Sequence, residues 1–113
     1  MSLKLSGYLF TGPFPIVGTT VRANQRPVVF AIIAKDGPGW APTFRVVDVG
    51  FSEDAGISFA DHPAAAQWLA AGNPAPTAYL FYAPRSEYSI EDRRKIADEV
   101  RLQYDPPNGM VAG

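Results

Sequence analysis

Thr43-Phe44-Arg45-Val46-Val47-Asp48-Val49-Gly50 is the stretch on which the reading of this chain turns. Its valines and phenylalanine suit a pleated, half-buried surface, and it reads as the central strand of a small sheet. Strict alternation puts Phe44, Val46, Asp48 and Gly50 on one face and Arg45, Val47, Val49 and Phe51 on the other. Apolar residues on both faces imply a strand covered on both sides. Asp48 is then out of place, and it needs a partner because an unpaired buried carboxylate is costly. Gly50 ends the strand, and Ser52 stands where a helix N-cap would.

Upstream, Pro27 opens the most apolar run, Val28-Val29-Phe30-Ala31-Ile32-Ile33-Ala34, a second strand. Asp36-Gly37-Pro38-Gly39 is a strong turn signal, and Trp40-Ala41-Pro42 leads into the opening stretch, so the two strands predict a hairpin with a loop. Residues 3–10 alternate loosely and predict an N-terminal edge strand. Residues 11–18, with two prolines and two glycines, predict a loop. Residues 19–26 are polar and read as extended.

Downstream, residues 54–61 predict a short helix and residues 64–71 a second one, stopped by Gly72. Residues 77–83 predict a third core strand. Ser89 and Asp92 resemble a capping box, with Asp in place of the usual Glu or Gln. The helix they open carries an apolar stripe of Ile96, Val100 and Tyr104, helped by Ala97. Glu91 with Lys95, and Lys95 with Glu99, are spaced for side-chain pairs. Asp105-Pro106-Pro107 ends it. The expected fold is a single α+β domain over residues 1–113. It has a small, mainly antiparallel sheet of three core strands plus the N-terminal edge strand, flanked by helices; residues 1–26 supply the edge strand and a loop.

With 113 residues and 47% hydrophobic content the chain can bury one modest core. It has no cysteine, which excludes disulfides, thiolate metal sites and cysteine nucleophiles. The formal net charge of −1 does not favour a nucleic-acid partner held mainly through phosphates. The N-terminus lacks the apolar core of a signal peptide and no apolar run is long enough to span a membrane, so a cytoplasmic protein with no membrane partner is expected.

The order of these pieces resembles the GIY-YIG superfamily: an apolar strand, a loop, a second strand ending in a hydrophobic residue and glycine, a helix, and a late helix ending in Pro-Pro. The resemblance covers residues 27–109, with Asp48-Val49-Gly50 as a variant of the second motif. It implies a small antiparallel sheet flanked by helices, the scaffold of many metal-dependent nucleases. It also implies that the chemistry is gone. Phe30 stands at the first motif and lacks the tyrosine hydroxyl, and Asp48 replaces the second motif's tyrosine. Ser58 stands where the arginine belongs, and Ala97 near where the metal-binding glutamate belongs. Asn108 lies near the family's terminal asparagine.

Read for chemistry alone, Asp48 is either a metal ligand or general base, or a structural aspartate bonded to backbone amides or an arginine. A divalent metal at Asp48 would want further oxygens, which Glu53 and Asp54 could give; both also suit the first turn of a helix. His62, the single histidine, is either a general base or a helix-start residue. Trp68 either stacks on a base or packs on the sheet. Arg93, Arg94, Lys95 and Arg101 either bind phosphate or form a salt-bridged surface with Glu91, Asp92, Asp98 and Glu99. No phosphate-cradling glycine loop, nucleophile elbow or zinc motif is present.

The expected function is a non-catalytic binding or interaction domain without a cofactor, with Phe30, Asp48, Gly50, His62, Trp68 and Asn108 as candidate ligand-binding residues. The alternative is a divergent metal-dependent nuclease or phosphodiesterase, with Asp48 and His62 as catalytic candidates and Asp48, Glu53 and Asp54 as metal ligands. A third reading is a subunit of a complex, with a protein partner or a second copy docking on an apolar patch near Phe14, Ile16 and Trp40.

Overall fold

A computed structural model describes residues 2–17, 20–21, 27–36, 43–52, 57–59, 63–72 and 75–104. Its elements are β1 (Ser2–Leu5), β2 (Tyr8–Pro15), β3 (Thr20–Val21), β4 (Val28–Asp36), β5 (Thr43–Ser52), β6 (Ile57–Ser58), α1 (Ala65–Ala70), β7 (Thr77–Tyr82) and α2 (Ile90–Tyr104). Five strands form one antiparallel sheet in the order β1-β2-β7-β4-β5. β3 and β6 pair antiparallel in a separate two-stranded ribbon.

The three expected core strands are β4, β5 and β7, but their places differ from the sequence reading. β5 is an edge of the sheet and β7 is its middle strand. β4 lies between them and carries the densest apolar run; residues 28–34 are all buried, as a strand covered on both faces should be. The N-terminal edge strand is a hairpin. Ser6 and Gly7, with φ of 51° and 86°, make a two-residue turn of the mirror-image kind that fits strand twist.

Three further expectations fail for identifiable reasons. Residues 11–15 belong to β2 rather than to a loop. β2 keeps its pairing with β7 by a bulge between Thr11 and Phe14, where Pro13 needs no ladder N–H. Ile57 and Ser58 pair with β3 instead of forming a helix. Tyr104 is 37% exposed, and Arg93 takes its place in the buried stripe of α2 with Ile96, Ala97 and Val100.

Two apolar clusters sit on opposite faces of the sheet. Val28, Phe30, Ile32 and Ala34 of β4 meet Val47, Ala78, Leu80, Phe59 and Trp68 of α1. Val29, Ala31 and Ile33 meet Val46, Val49, Tyr79, Phe10 and the buried stripe of α2. Of the expected apolar patch, Ile16 is buried in the first cluster and Phe14 packs half-buried against it; Trp40 lies outside the described residues. No helix among the described residues is long and apolar enough to cross a membrane.

The start of α2 is capped as its sequence predicts. The Asp92 amide donates to Ser89 Oγ at 3.1 Å, and the Ser89 amide donates to Asp92 Oδ2 at 2.9 Å. The Ser89 bonds, amide first, hold the Asp92 carboxyl below the usual carboxylate range. A pKa lowered by folding stabilises the fold above the ordinary Asp pKa, and that contribution fades as pH falls through the folded value. Ser89→Ala is expected to cost about 1 kcal/mol in urea denaturation at neutral pH, and less when the same pair is compared in acid, where Asp92 is protonated.

Candidate functional site

Asp48 faces the α1 side of the sheet because it continues the regular register in which Phe30 pairs with Gly50 and Ile32 with Asp48, and the β4–β5 ladder slips by one residue immediately beside it. Ile32 pairs with Asp48 and Ile33 pairs with Val46, leaving Val47 as the extra residue of a bulge. Strict alternation therefore fails. Val47 joins the α1-side cluster while Val46 and Val49 both join the α2-side cluster. The expected grouping of Val46 with Asp48, and of Val47 with Val49, is broken by this slip.

Asp48 is fully buried and its carboxylate is engaged on both oxygens. Trp68 Nε1 donates to Oδ2 at 2.7 Å and the Val49 amide donates to Oδ1 at 2.8 Å. Trp68, also fully buried, sits on the short helix α1, so this bond ties α1 to β5. Around it the rings of Phe30, Phe59 and Trp68 meet edge to face, with centroids 5.6 to 6.4 Å apart, the geometry aromatic quadrupoles prefer. Phe30 lies directly opposite Gly50 in the ladder. A Cβ on Gly50 would come within 2.6 Å of Phe30 Cζ, and Phe59 and Trp68 leave that ring little freedom to retreat.

The structure thus brings together four of the candidate residues, Phe30, Asp48, Gly50 and Trp68, and it does so inside the core. Ala97 belongs to the cluster across the sheet, so the positions where the family's two motif rings and its glutamate would fall do not converge on one face. Ser58 lies in β6. Glu53, Asp54, His62 and Asn108 lie outside the described residues. Among the described residues no group of three or more acidic or histidine side chains could hold a metal ion.

The basic residues of α2 do not form one phosphate-binding face. Arg93 is 2% exposed and its Nη1 donates to the carbonyls of Ala83 at 2.9 Å and Tyr88 at 2.8 Å. Arg101 donates from Nε and Nη2 to the carbonyl of Val49, at 3.2 and 2.8 Å, and from Nη1 to Asp98 at 2.9 Å. Arg94 pairs with Glu91 at 3.5 Å. The ion pairs described therefore run three residues along the helix, not along the four-residue spacing around Lys95 that the sequence suggests.

Sequence reasoning missed the roles of Arg93 and Arg101. The signal was available for Arg93, which is three residues before Ile96 and seven before Val100, on their face of the helix. It also missed Tyr8, whose hydroxyl donates to Glu99 at 3.0 Å and whose ring meets Phe81 at 5.3 Å. Partial burial, then the Glu99 carboxylate, hold the Tyr8 hydroxyl above its ordinary range. That contact borders a concave surface lined by Glu87, Tyr88, Asp92 and Lys95. A second groove runs between the β1–β2 turn and the end of α2, past Ser6, Gly7, Leu102 and Tyr104.

Trp68→Phe keeps most of the packing and removes the indole donor. It is expected to destabilise by roughly 2–3 kcal/mol in denaturant unfolding, because it withdraws a bond from a buried carboxylate. Adding Asp48→Leu to Trp68→Phe should cost less than the sum of the two single changes, since the polar group and its donor leave together. Gly50→Ala is expected to cost about 1–3 kcal/mol through overpacking, and part of that loss should return in the Phe30→Leu background.

Comparison with known proteins finds no matching family model, no matching curated protein and no matching solved structure.

Proposed function

We propose that this is a binding or interaction domain that acts without catalysis, on a degenerate scaffold of the GIY-YIG type. The observation that carries the reading is the state of Asp48. Its carboxylate is enclosed in the core and accepts from Trp68 and from the Val49 amide. A general base or metal ligand must present a lone pair to water, substrate or ion. Among the described residues, Asp48 accepts from an indole and an amide, and through them it works as a fastening between α1 and β5. The scaffold reading draws support from the order β4, β5, α1, β7, α2, a hairpin followed by helix, strand and helix. In place of the family's chemical side chains it has a phenylalanine ring, a buried aspartate and an alanine inside the core.

What such a domain offers a partner is its outer surface. Leu9, Phe44 and Leu102 are 59%, 53% and 85% exposed, so apolar side chains remain uncovered beside both ends of the sheet and on α2.

The test is an amide NMR titration with magnesium, manganese and a short DNA duplex at low salt, next to a hydrolysis assay. The expected result is no hydrolysis and no metal-dependent change at Asp48, Val49 or Trp68, while Asp48→Asn is less stable than the natural sequence. Hydrolysis that disappears in Asp48→Asn, with the fold of that variant intact, would sink the reading and restore the metal-dependent alternative.

A further inference from the structure

The two edges of the five-stranded sheet are finished differently. On β5 the main-chain groups of Val49 are both taken by side chains: its N–H by Asp48 and its C=O by Arg101. That closes the middle of the β5 edge to another strand, with a charged side chain from α2 lying across it. Among the described residues, nothing comparable lies on β1. The two-residue turn makes Leu5 and Tyr8 the hydrogen-bonded pair that closes the hairpin, and bonded and non-bonded pairs then alternate. Leu3 and Leu5 therefore turn their N–H and C=O toward β2, and Ser2 and Lys4 turn theirs outward. β1 is the last strand of the sheet on that side, and none of the hydrogen bonds described reaches its outer edge.

We propose that β1 is a self-association strand, pairing antiparallel with β1 of a second copy about a twofold axis at Leu3. The inference names a partner for the interaction reading above and rests on it. The register follows from the hairpin. A twofold at Leu3 sets Ser2 opposite Lys4 of the other copy, so every outward group of both strands is used, about four main-chain bonds in all. It also settles the charge. Each Lys4 ammonium faces a serine, and the two ammonium groups stand diagonally apart, whereas a twofold at Lys4 would set like charges face to face. The flanks agree with coverage from this side. Leu9, directly across the hairpin from Lys4, is 59% exposed, and Leu102, 85% exposed, borders the groove beside Ser6 and Gly7. Such an interface is small, and it belongs to the class of weak, concentration-dependent contacts.

The experiment is sedimentation velocity over a dilution series, with amide hydrogen exchange at its two ends, on the natural sequence and on Lys4→Pro. Proline at position 4 removes an outward N–H and none that the hairpin uses. The expected result is a rise toward twice the monomer mass with concentration, and slower exchange at Ser2 and Lys4 in the concentrated sample. Lys4→Pro should weaken the association at least about tenfold, the scale of one main-chain hydrogen bond, with an unchanged circular dichroism spectrum. If Lys4→Pro fails to fold, the exchange of the natural chain decides alone. A monomer up to about millimolar concentration overturns the pairing, as does a dimer in which Ser2 and Lys4 exchange as fast as in the dilute sample. Hydrolysis that depends on Asp48 is a separate readout, so failure of the pairing and failure of the interaction reading can be told apart.

Discussion

The hydrogen bond from the Trp68 indole to the Asp48 carboxylate is the contact on which the α1 side of this domain depends. Helix α1 is short, only Ala65–Ala70, and has no side-chain cap, so propensity does little to hold it. It is held by Trp68, packed against Phe30 and Phe59 with its N–H fixed on Asp48, and at its C-terminal end by Arg45, which donates to the Ala71 carbonyl at 2.7 Å. The Trp68 bond also explains why an aspartate is tolerated in the core. A buried carboxylate must have donors, and among the described residues one comes from across the fold and one from the next residue along the chain. The regular register from Gly50 to Asp48 sets this carboxylate toward α1, and the bulge beside it turns Val47 to the same face, where strict alternation would have put Val47 on the other.

Helix α2 is secured by a different device. Its apolar stripe covers the other face of the sheet, and two arginines reach past that stripe to main-chain carbonyls. Arg93 holds the segment entering the helix through Ala83 and Tyr88, and Arg101 holds the edge strand through Val49. A guanidinium is suited to this because its planar fork can serve more than one acceptor at once. The helical pattern puts Arg93 on the buried face and gives no such sign for Arg101, and both are anchors.

The sequence made legible what depends on local pattern. Strands β4, β5 and β7 follow from runs of branched and aromatic residues, and the capping box of α2 from Ser89 and Asp92. It could not give the order of strands, because β7 enters between β2 and β4 through contacts far apart in the chain. It misplaced side chains on β5 because a one-residue slip leaves no mark in composition, yet it changes which residues share a face. It hid the hairpin at Ser6-Gly7, although Ser-Gly between alternating residues is a turn signal. At the candidate site the need for a partner at Asp48 could be read, but the partner could not, since Trp68 is twenty residues away on another element.

The central place of β7 has a consequence for how the chain is made. The main-chain ladder that joins the β1–β2 hairpin to the β4–β5 hairpin passes through β7, which pairs with β2 on one side and β4 on the other. Both hairpins can close from neighbouring sequence, but residue 82 must be synthesised before the ladder between them is complete. Until then β4 has an uncovered edge, and Val28-Val29-Phe30-Ala31-Ile32-Ile33-Ala34 is an uncharged, strongly β-forming stretch. A nascent chain stopped short of β7 therefore leaves that β-forming edge of β4 without its ladder partner, the kind of edge that invites pairing with another chain.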